Sequence, residues 1–257
     1  VGFKPSYGKV MTAGIKALAP SLDTMGCFGR SVGDVALGVA AMSDDLGLAE
    51  IAELNNKPRI AICKTNDWSL ASKETAGAIA LARFTAEAIA KGTVRDIDLP
   101  SDCDELTLIQ SRIMSYEMAR TLSFEQKLFG KKISSVLSQQ LNEGSKIHYE
   151  QYQKDMHYAK AARFAIDQIF QNEVDIIIAP SATGEAPSAK DGTGNPVFCR
   201  GWTLLGLPCI NLNISSGPNG LPIGVQLIAG PGKDHFLLSA ARAFAKALPD
   251  PVLRDQA

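Results

Sequence analysis

No two of the five cysteines form a CxxC pair. Cys27, Cys63, Cys103, Cys199 and Cys209 are odd in number and scattered along the chain. A disulfide framework and a cysteine-based zinc site are therefore unsupported, and a reducing, cytoplasmic setting is expected. Neither charge sign is in excess. With 26 basic against 27 acidic residues, the net charge of −1 gives no electrostatic reason to expect nucleic acid or an anionic membrane. No apolar run approaches the ~18 residues that a membrane-spanning helix needs. Histidines are few, and His148 and His157 stand nine apart, which is no metal-ligand spacing. No metal and no cofactor are expected. An initiator methionine is also missing: "VGFKPSYGKV" reads as the middle of a longer chain, leaving a strand for a turn.

What is present alternates between helical and extended patterns. Residues 31–42 predict a helix, with Ser31 as N-cap and Asp34 three residues on. "RIAIC" (59–63) predicts a short apolar strand, and 73–91 an amphipathic helix with Leu81, Phe84 and Ala88 on its apolar face. "TVRDIDL" (93–99) alternates as a strand does and stops at Pro100. Two or three helices are expected between about 104 and 172, then the buried strand "DIIIAP" (175–180). The stretch from about 181 to 196 is rich in Gly, Pro, Ala and Ser and predicts a long loop, a common place for function.

The last quarter carries the clearest pattern. "CINLNI" (209–214) and "LPIGVQLI" (221–228) read as strands joined through Asn219-Gly220. Asn-Gly suggests a type I′ turn, which requires positive φ at both residues. A helix from about Asp234 to Leu248 follows, with Leu237, Ala241, Phe244 and Leu248 on one face. The fold class is α/β: a mixed β-sheet covered by helices on both faces.

"GRSVG" (29–33) matches G-x-S-x-G, the nucleophile elbow of α/β-hydrolases, and Asp175 and His235 would complete a triad in the right order. The stretch "DTMGCF" before Ser31 is turn-like, however, where an elbow needs a buried strand, so Ser31 reads as a helix cap. Cys27 sits in a glycine-flanked turn with no histidine near it in sequence and reads as a bystander thiol. Arg163 falls by angle within the apolar stripe of Ala159, Ala162, Ile166 and Ile169. A guanidinium there needs a partner: an internal salt bridge, solvent reached by snorkelling, or the carboxylate or carbonyl of a substrate.

Three ordered blocks identify a family. "VGFKPSYGKVMTAGIKALAPSLDTMGCFGRSVGD" resembles the stretch that follows the catalytic core of the amidase signature family. "WTLLGLPCINLNI" and "GLPIGVQLIAGPGKDHFLLSAA" resemble its closing segments, and "DIIIAP" fits between them more loosely. The resemblance implies an amide hydrolase with a Ser-cisSer-Lys triad, in which one serine attacks the amide carbonyl while the second serine and the lysine relay the proton. In the family all three precede the block matched by Val1, so residues 1–257 are expected to be the C-terminal part of a single amidase signature domain, its N-terminal part absent and the chain inactive alone. Lys4 and Lys9 match positions after the nucleophile.

The resemblance places "SLDT" (21–24), hence Asp23 and Thr24, near the pocket, and Arg163 where amidotransferase-type members grip a carboxylate. Phe198, Arg200 and Trp202 follow the long loop as wall residues. The implied partners are a small-molecule amide substrate and the missing N-terminal half of the same enzyme, with a homodimer left open. The competing readings are a non-catalytic binding or scaffold protein of the same fold and an α/β-hydrolase using Ser31.

Overall fold

A computed structural model describes every residue except Pro251, Val252 and Arg254. The apolar strand β5 (Ile176–Pro180) is buried along its whole length because it lies inside a seven-stranded sheet. The others are β1 (Gly2–Lys4), β2 (Cys27–Phe28), β3 (Ile60–Ile62), β4 (Arg95–Asp96), β6 (Cys209–Ser216) and β7 (Pro222–Ala229). Their order is β2-β1-β6-β7-β5-β3-β4. Only β3 pairs in parallel, with β4 and β5; the remaining ladders are antiparallel.

Side chains alternate between the two faces of the sheet. Ile176, Ile178, Ile210, Leu212 and Leu227 meet α1 (Val32–Ser43), α2 (Lys73–Ile89) and α8 (Asp234–Lys246). Ile177, Ala179 and Ile228 meet α3 (Leu106–Thr121), α6 (Tyr149–Asn172) and α7 (Val197–Leu205). The helical layer is completed by α4 (Ser123–Phe129) and α5 (Ser135–Ser145), making four helices between 104 and 172 where two or three were expected. No described helix is long and apolar enough to cross a membrane.

The start of α1 follows its sequence signal. Ser31 Oγ accepts from the Asp34 amide at 3.1 Å, and the Asp34 carboxylate accepts from the Ser31 amide at 3.1 Å. The face of α2 does not follow. Phe84 is 67% exposed, and the buried stripe runs instead through Ala78, Ile79, Ala82 and Ala86. Small side chains let the helix axis approach the sheet closely, so alanines take the inner face and the bulky ring is left outside. The expected strand 93–99 contracts to Arg95–Asp96, because its three-residue neighbour β3 offers a ladder only there.

The hairpin β6–β7 forms as expected but with a different turn. Among the described residues only Asp44 and Thr65 combine a side chain with positive φ, so Asn219 is not left-handed. The Gly220 amide donates to Gly217 O at 3.0 Å and the Gly217 amide to Leu221 O at 2.9 Å. This is a three-residue loop: a type I turn with Pro218 in its first central position, followed by Gly220 at φ 78°. Pro218 fixes a φ near −65°, which suits type I and forbids type I′.

Candidate active site

A cleft of about 310 Å³ opens beside β1 and β2. Its walls come from four places that are distant in sequence. Lys4 ends β1, Thr24 precedes β2, Ser181 follows β5 where the long loop starts, and Cys199 lies on the first turn of α7. The floor carries Asn211 and Gln226, register partners across β6 and β7 and hence neighbours on one face.

These polar groups are tied together. Ser181 Oγ donates to Asn211 Oδ1 at 2.5 Å. Gln226 is only 5% exposed, and its Nε2 donates to Pro180 O at 2.7 Å and to Phe198 O at 2.8 Å. A buried primary amide satisfied in this way staples the end of β5 to the start of α7. Lys4 Nζ donates to the carbonyls of Pro5 and Leu207. Burial pushes the Cys209 thiol up to about 12, and Cys199, on the exposed side of the cleft, donates its Sγ–H to Ser181 O at 3.3 Å. Cys209 is therefore held protonated at neutral pH, the wrong form for attack.

The four residues expected to touch substrate do not converge. Thr24 lines the cleft, and its Oγ1 donates to Leu22 O at 3.3 Å. Asp23 turns back on its own loop, Oδ2 accepting from the Leu18 amide at 2.8 Å and the Ala19 amide at 3.1 Å. It also borders an adjoining hollow of about 270 Å³ that it shares with Thr24. Arg163 is half-buried and donates from Nε (3.0 Å) and Nη2 (2.8 Å) to one acceptor, Leu204 O, near the end of α7. Desolvation lowers its pKa, as burial does for any cation. Trp202 is 2% exposed, deep in the α-helical layer, where it lines a void of only about 30 Å³ with Phe198.

Asn211, Gln226 and Ser181 were missed by reasoning from motifs. Two of them did leave a signal: Gln226 is the one polar side chain inside the apolar strand "PIGVQLIA", and Asn211 is one of two asparagines inside "CINLNI". A polar side chain at such a position must find partners, which marks it for attention.

The elbow at Ser31 dissolves in three dimensions. Its hydroxyl caps α1, Asp175 Oδ1 pairs with Arg59 Nη2 at 2.8 Å, and His235 Nε2 lies 2.9 Å from Asp45 Oδ2. Each member of that triad is engaged elsewhere, and β2 ahead of Ser31 is a two-residue edge strand rather than a central one.

A family model described as Amidase matches residues 1–238. The chain is 25% identical to a chloroplastic/mitochondrial glutamyl-tRNA(Gln) amidotransferase subunit of Vitis vinifera, covering 96% of this chain and 55% of that protein. It is 24% identical to the corresponding mitochondrial protein of Rattus norvegicus, covering 100% and 57%. Among solved structures, a crystal structure of an amidase superposes with a TM-score of 0.83 at 22% identity, over 96% of this chain and 57% of that one. Native peptide amidase from Stenotrophomonas maltophilia gives a TM-score of 0.74 at 18% identity, again over 96% and 57%. The chain thus spans a little over half the length of these proteins. Sheet, helical layers and family match agree: the chain belongs to the amidase (amidase signature) family.

Proposed function

We propose that this chain is the substrate-side portion of an amide-hydrolysing enzyme, the C-terminal part of one amidase signature domain. The Ser-cisSer-Lys triad lies upstream of Val1 and closes over the cleft from the β2 side. One observation carries the reading: the polar groups that line the cleft are all engaged with one another or with backbone, and none is set up to attack a carbonyl. The hydroxyls of Thr24, Ser181 and Thr203 all donate to oxygen acceptors. The thiols of Cys27, Cys199 and Cys209 donate to the carbonyls of Phe28, Ser181 and Leu207, and the Lys4 ammonium is bonded to carbonyls.

In the assembled enzyme the upstream serine adds to the substrate carbonyl, and backbone N–H groups stabilise the oxyanion. The bridging serine and the neutral lysine carry the serine proton to the departing amine. Water then releases the acyl group by the same relay in reverse. This chain contributes binding and orientation. We assign direct contact with the substrate to Thr24, on the cleft wall. Asp23 orders the turn that presents Thr24, Arg163 holds the end of α7 through Leu204, and Trp202, on α7 itself, anchors that helix in the core. The same cleft serves amide-group transfer, as the names of the amidotransferase relatives suggest, or hydrolysis of a simple amide.

Thr24→Val in the full-length enzyme tests the assignment. Loss of a hydrogen bond worth about 1 kcal/mol should raise KM or lower kcat/KM by roughly five-fold. Unchanged kinetics would remove Thr24 from the site.

A further inference from the structure

The long loop leaves the cleft at Ser181 and returns to it at Cys199, so both of its roots stand on the rim. Its first residues are fastened. The Ser72 amide donates to Thr183 O at 2.7 Å, and Thr75 Oγ1 donates to Ala182 O at 3.3 Å. Glu185 then reaches across to the tip of the β6–β7 hairpin. Its carboxylate accepts from the Asn219 amide at 3.1 Å, from Asn219 Nδ2 at 2.9 Å and from the Leu221 amide at 2.8 Å. Beyond it, residues 186–196 are all exposed.

The tip is shaped for this carboxylate. A Cβ at Gly217 would stand 2.2 Å from Glu185 Cγ, so any larger residue there evicts Glu185 from its seat. The partners are neutral N–H groups rather than cations, so the contact needs an acceptor on both oxygens. A glutamine would turn an NH₂ group toward donors.

We infer that Glu185, seated over Gly217, is a positioning residue that latches the loop and holds Ser181 against Asn211 at the mouth of the cleft. The latch is the last fastening before the exposed span, and Ser181 lies four residues upstream of it. The role rests on the proposed use of the cleft, but the fastening itself can be read without it.

The test uses the full-length enzyme with Glu185→Ala, Glu185→Gln, Gly217→Ala and the double alanine variant. Trypsin cleavage after Lys190 reads the loop, and KM against kcat for a simple amide reads the cleft. Each single variant should speed cleavage about ten-fold and raise KM about three- to ten-fold, with kcat nearly unchanged. The double alanine variant should be no worse than either single one, because both remove the same contact. Glu185→Gln should resemble Glu185→Ala. Unchanged cleavage, or effects that add in the double variant, would overturn the latch. Faster cleavage with KM unchanged in the latch variants would overturn the positioning role, and KM unchanged in Thr24→Val as well would overturn the cleft as the substrate site while leaving the fastening of the loop in place.

Discussion

The two edges of the sheet are finished differently. At one, β4 is two charged residues. Arg95 Nη2 pairs with Glu173 Oε2 at 2.8 Å and Asp96 pairs with Arg83, so the outer edge is short, polar and hostile to another strand. At the other, β2 is Cys27–Phe28, with Phe28 91% exposed. Cys27 and Phe28 border the cleft as well. One edge is defended, while the other presents apolar surface beside the cleft. That difference supports the proposal that the catalytic half packs against β2, and it suggests where to probe.

Phe28→Asp should break the comparison most visibly. In the full-length enzyme, burying an unpaired carboxylate at that contact should cost about 3 kcal/mol or more, seen as a lower midpoint in chemical unfolding. In the isolated chain the side chain is already in water, so stability should hardly change and self-association should fall. Equal effects in both proteins would mean that nothing covers β2.

The paired centre provides a middle case. Gly220 has φ 78°, and a Cβ there meets nothing within 4 Å, so Gly220→Val carries a conformational cost alone. That should be about 1–3 kcal/mol in either protein. A smaller loss would mean that the turn relaxes without a left-handed residue.

The defended edge should give the smallest effect. Asp96→Ala removes an exposed ion pair worth about 0.2–1 kcal/mol, and raised salt should reduce the difference further. A larger loss would show β4 to be structural rather than protective.

These contrasts also explain how far the amino-acid pattern could be read. The stripe Leu237, Ala241, Phe244 and Leu248 is plain because it faces one apolar layer, and all four residues are fully buried. The hairpin 209–228 is plain because two apolar runs, buried between the two helical layers, flank a Gly-Pro-Asn-Gly turn. The inner face of α2 was hidden because alanine packs there, and hydrophobicity ranks Leu81 and Phe84 above it. The turn type was hidden by Pro218, one residue before the Asn-Gly pair that drew attention.

The cleft was harder to read than the fold. Its walls combine a strand end, a turn, a loop root and the first turn of a helix, and only folding brings Lys4, Thr24, Ser181 and Cys199 together. Arg163 was rightly suspected of needing a partner, but the angle of a residue on a helix cannot reveal that a backbone carbonyl will supply it. Trp202 was picked for following the loop, while its size and apolarity sent it into the core.

The central claim is that this chain binds and the upstream portion reacts. The most direct measurement is amide turnover together with labelling by a serine-directed fluorophosphonate, on the isolated chain and on the same chain combined with its upstream portion. Binding contacts without a nucleophile leave the chemical barrier in place. The account predicts no turnover and no labelling from the isolated chain, and both once the upstream portion is added. Turnover or labelling by the isolated chain that vanishes in Ser31→Ala would contradict it.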